Sequence, residues 1–135
     1  MKLLFSMGIL LLTLSNSCEG QENKDEITIN YTAQTRGYIY TLQLKNKELE
    51  INNNQAIKNI VLTEEQQNEV LKLLSEIDFK KIKSNISTDD LAVDKAIKGA
   101  FELNYHNKLY SYNFDHNKLP KKIEELKLKL ETLLN

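Results

Sequence analysis

Residues Gly99 to Leu134 read GAFELNYHNKLYSYNFDHNKLPKKIEELKLKLETLL, and this stretch carries a strand, a tight loop, a second strand and an amphipathic helix in succession. Ile97, Phe101, Leu103 and Tyr105 alternate with polar Glu102 and Asn104, the period of a half-buried strand. A loop at Asn107-Lys108 pairs Tyr105 with Tyr110, Leu103 with Tyr112 and Phe101 with Phe114, so that every large apolar side chain shares one face. Pro120 then suits the first position of a helix. Ile123, Leu126, Leu130 and Leu133 recur at helical spacing, with Leu128 and Leu134 widening the stripe.

The same grammar appears upstream. Ile27, Ile29, Tyr31 and Ala33 alternate with polar residues, and Tyr38, Tyr40, Leu42 and Leu44 do so again. A loop at Thr35-Arg36 pairs Ala33 with Tyr38, Tyr31 with Tyr40 and Ile29 with Leu42. A loop at Asn46-Lys47 pairs Lys45 with Glu48, Leu44 with Leu49 and Leu42 with Ile51. Asn52 to Asn59 reads as a polar loop and Ile60 to Leu62 as a short apolar entry to a helix. Thr63-Glu64-Glu65-Gln66 matches a capping box, which starts that helix, and Val70, Leu73, Leu74 and Ile77 give it an apolar face. Lys80, Lys81 and Lys83 follow its end, where cations complement the dipole.

These elements predict a single α+β domain over residues 27–135. It is a two-layer sandwich in which a five-stranded antiparallel sheet carries two helices on one face, in the order βββα-ββα. Two amphipathic helices need a covering surface, so the aromatic residues of the strands are assigned to the core rather than to a stacking platform.

The N-terminus is of a different kind. Lys2 followed by the apolar run Leu3 to Leu14 and the small polar residues Ser15 to Ser17 has the form of an export signal, too short to span a bilayer as a stable helix. Directly after it stands the one cysteine of the chain, in Leu14-Ser15-Asn16-Ser17-Cys18. That segment resembles the lipobox of bacterial lipoproteins. The resemblance implies removal of residues 1–17 by signal peptidase II and lipidation of the Cys18 sulfur, which anchors the chain to a membrane. Residues 18–26, polar and without periodicity, then form a lipidated flexible tether. Ordinary cleavage after Ser17 or Gly20 is the competing reading and leads to a soluble periplasmic or secreted protein. A lone cysteine in an exported chain favours acylation.

Composition narrows the function classes. Net charge is −1 and Arg36 is the sole arginine, so neither a basic field nor bidentate phosphate grips point to nucleic acid. With Cys18 committed to the anchor, no thiol is left for nucleophilic or metal work. His106 and His116 flank the second hairpin strand, roughly 20 Å apart at about 3.3 Å per residue, and both are expected in exposed loops. Ser75, Ser84, Ser87 and Ser111 have no histidine partner in this register. Asp89, Asp90 and Asp94 lack the spacing of a calcium loop and read as a solvated turn. No catalytic, cofactor or metal set is therefore expected.

The remaining candidate surface is the outward face of the sheet: Thr28, Asn30, Thr32, Ile39, Thr41, Gln43, Glu102, Asn104, Ser111 and Asn113, with the loop from Ser84 to Asp94 second. The sequence thus points to an exported, lipid-anchored envelope protein of non-enzymatic type, which binds a protein or peptide partner or acts as an accessory or inhibitory module. Two alternatives stay open. One is a small-ligand carrier or enzyme with a site between helices and sheet, which a closed pocket near Tyr31, Tyr40 or Tyr112 would favour and a filled core would disfavour. The other is a structural envelope component.

Overall fold

A computed structural model describes residues 26–86 and 97–135. The signal segment, Cys18 and most of the tether lie outside the described residues, as do Ser87, Asp89, Asp90 and Asp94. Strands β1 (Thr28–Thr35), β2 (Tyr38–Lys45), β3 (Glu48–Asn53) and β4 (Ile57–Val61) precede helix α1 (Glu64–Ser75). Strands β5 (Lys98–Tyr105) and β6 (Lys108–Asp115), a short 3₁₀ turn (His116–Lys118) and helix α2 (Lys121–Leu133) are the elements described after it. The protein is α+β, with an open antiparallel sheet that has six strands among the described residues, in the order β4-β3-β2-β1-β5-β6.

The sixth strand corrects the expected five. Ile57 to Val61 pairs with β3 through Glu48↔Val61, Glu50↔Asn59 and Asn52↔Ile57, within a stretch read from the sequence as loop and helix entry. Its pattern hides it: only Ile60 turns partly inward, while Ile57 and Val61 face solvent at 64% and 70% exposure. An edge strand with apolar residues on its wet face shows no period-two signal. Asn54, at φ 56°, shapes the turn before it. Its side-chain oxygen accepts from the Ile39 N–H at 2.7 Å and its amide donates to the Gly37 carbonyl at 2.7 Å, tying the β3–β4 turn to β2.

Two hairpin registers also differ from expectation, each by two residues. The first loop is Arg36-Gly37, with Thr35 opposite Tyr38, Tyr31 opposite Leu42 and Ile29 opposite Leu44. Gly37 takes φ 77°, a value a glycine adopts at no steric cost, and that draws the turn onto it. The last loop is His106-Asn107, both left-handed at φ 50° and 57°, as a type I′ turn requires. It sets Tyr105 opposite Lys108, Leu103 opposite Tyr110 and Phe101 opposite Tyr112. A two-residue shift preserves the facing of every side chain, so the inward set survives the error. The Asn46-Lys47 register is as expected.

Ile29, Tyr31, Ala33, Leu42, Leu44, Leu49, Phe101, Leu103 and Phe114 are buried from the sheet, and Val70, Leu74, Ile123, Leu126 and Leu130 from the helices, in one continuous core. Full burial of a side chain such as Phe114 or Leu103 is worth about 1.5–3 kcal/mol. The capping box forms: Thr63 Oγ1 accepts from the Gln66 N–H and Gln66 Oε1 accepts from the Thr63 N–H. Pro120 stands one position earlier than expected, as the residue preceding the first helical turn. Leu128 does not widen the buried stripe, since it faces solvent at 51% exposure.

Candidate functional site

Strand alternation sends all ten candidate residues to the sheet face opposite the core, where pairing sets them in rows. Asn30 lies between Gln43 and Glu102, and Glu102 faces Ser111 on its other side. Thr32 lies beside Thr41, and Thr28 beside Asn104. Asn113 reaches Thr32 through Ala100. Ile39 stands at one end of β2 opposite Gln34. Thr28, Asn30, Thr41 and Asn104 are half-buried by their neighbours and the other six are exposed. The surface is rich in amide and hydroxyl groups.

The missed strand enlarges this face. Glu48, Glu50 and Asn52 of β3 project outward, as do Ile57, Asn59 and Val61 of β4. A shallow groove of about 590 Å³ runs along that side, lined by Gln43, Lys45, Glu48, Glu50, Asn59 and Val61 among others. No signal in the alternation could have added β4, but the register of β3 already implied Glu48 and Glu50.

A second cluster was not anticipated. His116, expected in an exposed loop, is half-buried behind β6 and held between two phenols. Its Nδ1 lies 2.6 Å from Tyr31 Oη and its Nε2 3.1 Å from Tyr38 Oη, and its ring stacks on Tyr31. Only one ring nitrogen of a neutral imidazole carries a proton, so one phenol donates to the bare nitrogen while the other accepts from the N–H. Beside it Tyr40 Oη donates to Glu131 Oε1 at 2.7 Å, and Lys127 donates to the same oxygen at 2.8 Å from a position over the Tyr40 ring. Gly99 makes room for Tyr31: a Cβ there would stand 2.9 Å from Cε2 and Cζ of that ring. His106 sits in the hairpin turn at the other end of β6, so the two histidines do not share a site.

The electrostatics of this cluster are those of a neutral clasp. Burial first, then the charges of Tyr38 and Asp115, raise the Tyr31 phenol above its ordinary range. Burial and the bond to Glu131 raise Tyr40. Burial, reinforced by Lys127, lowers the His116 imidazole against the opposing pull of Glu131 and Asp115. The Tyr31, Tyr38 and Tyr40 phenols are all raised, away from the phenolate a nucleophile would need at neutral pH. The void nearest to Tyr31, lined by Ile29, Leu42, Phe101, Ile123 and Leu126, measures about 10 Å³, room for at most one water. A shallow cleft of about 330 Å³ opens beyond Tyr40 and Glu131 toward Asn53, Lys58 and Asn135.

Among the described residues no three His, Cys, Asp or Glu are placed to hold a metal ion, and no helix is long and apolar enough to cross a membrane. Comparison with protein-family models, with curated proteins and with solved structures finds no match to this chain.

Proposed function

We propose that the chain is a small exported protein, lipid-anchored through Cys18 to the cell envelope, that acts as a non-enzymatic binding module. Its partner is a protein or peptide that meets the open face of the sheet. The observation that carries this reading is the contrast between the two faces. Among the described residues, the void enclosed between helices and sheet beside Tyr31 measures about 10 Å³, too little for a small ligand, which needs roughly 300 Å³ or more, and the larger cleft beyond Tyr40 lies open to solvent. The other side presents Asn30, Thr32, Thr41, Gln43, Glu102, Ser111 and Asn113 on the four adjacent hydrogen-bonded strands β2, β1, β5 and β6. A two-layer arrangement of this kind keeps its binding face rigid, because the helices brace it from behind.

A small-molecule carrier is the second reading, and the cleft beside Tyr40 and Glu131 is the feature that favours it. Its polar handles are already engaged with each other and with Lys127, which makes it the weaker choice.

The anchor and the face are tested separately. Mass spectrometry of the protein isolated from membranes is expected to show an acylated N-terminal Cys18, and an unmodified terminus or one at another residue defeats the anchor. Copurification after crosslinking in intact cells is expected to bring down a discrete partner, and recovery of the protein alone counts against the binding role.

A further inference from the structure

The two edges of the sheet are finished differently. At β6 the outward backbone groups of Asn113 and Asp115 are taken by the segment that precedes β5. Asn113 N–H donates to Ser84 Oγ at 2.9 Å, Asn85 N–H donates to the Asn113 carbonyl at 3.0 Å, and Asp115 N–H donates to the Asn85 carbonyl at 3.2 Å. At β4 the outward groups meet nothing among the described residues. The bonds from Leu62 N–H to the Lys47 carbonyl and from Asn53 N–H to the Ala56 carbonyl fix the phase of the β3–β4 ladder. In an antiparallel pair the hydrogen-bonded and open positions alternate, so Ile57, Asn59 and Val61 turn their N–H and C=O groups away from β3.

We propose that β4 is the contact strand of a symmetric homodimer in which two copies pair antiparallel about Asn59 and join their sheets into one of twelve strands. The register with full overlap of the five residues sets Ile57 against Val61 of the second copy, Asn59 against Asn59 and Val61 against Ile57. All three are positions whose backbone groups are open. The two exposed apolar side chains of the strand, Ile57 and Val61, thereby cover each other, and the Asn59 amides meet on the axis. Charge permits the approach: the outward row carries none, and Lys58, on the other face, stands opposite Ile60 rather than another lysine. An open, apolar edge strand is the kind of template that recruits a further strand. Five paired residues cover less than the roughly 1,000 Å² that a stable interface clears, so the dimer forms with rising concentration. It forms with or without the lipid anchor and leaves the sheet face free.

The test uses the full chain carrying Cys18→Ser, so that an introduced thiol is the sole one. Oxidation of Asn59→Cys in this chain is expected to give a covalent dimer of doubled mass, because a hydrogen-bonded antiparallel pair sets its Cα atoms about 5.5 Å apart, within disulfide reach. Asn30→Cys, in the middle of the open face, is expected to give none. Sedimentation equilibrium of the Cys18→Ser chain is expected to show a mass rising toward twice that of one chain. Asn59→Pro, which removes an outward N–H and leaves the ladder to β3 intact, is expected to restore the single-chain mass with an unchanged circular dichroism spectrum. A single-chain mass at every concentration overturns the proposal and leaves β4 to a foreign strand. A dimer unaffected by Asn59→Pro, or equal crosslinking from positions 59 and 30, overturns it as well.

Discussion

Tyr31 and His116, 85 residues apart in the chain, meet with Oη 2.6 Å from Nδ1. The contact ties the segment that follows β6 to the middle of β1, and Tyr38 on the other nitrogen extends the tie to β2. Replacing Tyr31 by Phe leaves that nitrogen without its partner and is expected to cost about 1–3 kcal/mol in chemical denaturation.

The same clasp predicts a pH dependence. Burial lowers the folded-state pKa of His116 below its unfolded value, so between the two the unfolded chain binds more protons. Stability contributed by the neutral ring is complete above the unfolded value of about 6.5 and falls as pH drops below it toward the folded value. Urea midpoints measured from pH 8 to pH 5 are expected to decline in the native protein and to decline less in His116→Gln. Equal slopes in the two would show that other groups set the dependence.

Gly99 is a packing requirement of Tyr31. Gly99→Ala drives a methyl against the Tyr31 ring and is expected to destabilise by about 1–3 kcal/mol. Combination with Tyr31→Leu, which removes the ring, is expected to give a smaller loss than the sum of the two single changes. Additive losses would mean that the glycine is needed for another reason.

Helix α1 depends on its first turn. Thr63→Ala removes the oxygen that accepts from the Gln66 N–H and is expected to cost about 1 kcal/mol. Thr63→Ser retains the cap and is expected to lie close to the native midpoint.

The inward face was legible in the sequence because alternation survives a slipped loop: Tyr31, Leu42, Phe101 and Leu103 are buried whichever turn residues are chosen. The same parity made the outward set legible, from Thr28 to Asn113. The loops themselves lie one residue from the expected positions, which shifts each register by two. Positive φ at Gly37 and at His106-Asn107 decides them, and hydrophobic pattern carries no information on φ. Strand β4 was invisible because its apolar residues face water. The His116 clasp was invisible for another reason: the residue follows a strand whose neighbour across the sheet is known only once β5 is seen beside β1.

Rigid presentation predicts that the open face can be altered without loss of fold. Asn30→Ala, Gln43→Ala and Ser111→Ala are each expected to change stability by no more than about 0.5 kcal/mol, whereas Leu42→Ala on the opposite face is expected to cost about 2–5 kcal/mol. Thermal melts of the four variants distinguish the two classes.

In the proposed function the uncovered face of the sheet is where the protein meets its partner. Site-specific photocrosslinking in intact cells tests it most directly, with a photoreactive residue placed in the full chain at Asn30 or Thr41 on that face and at Leu128 on the outer side of α2. A discrete adduct is expected from Asn30 and Thr41 and none from Leu128. An adduct confined to Leu128, or the absence of any adduct from the sheet positions, contradicts it.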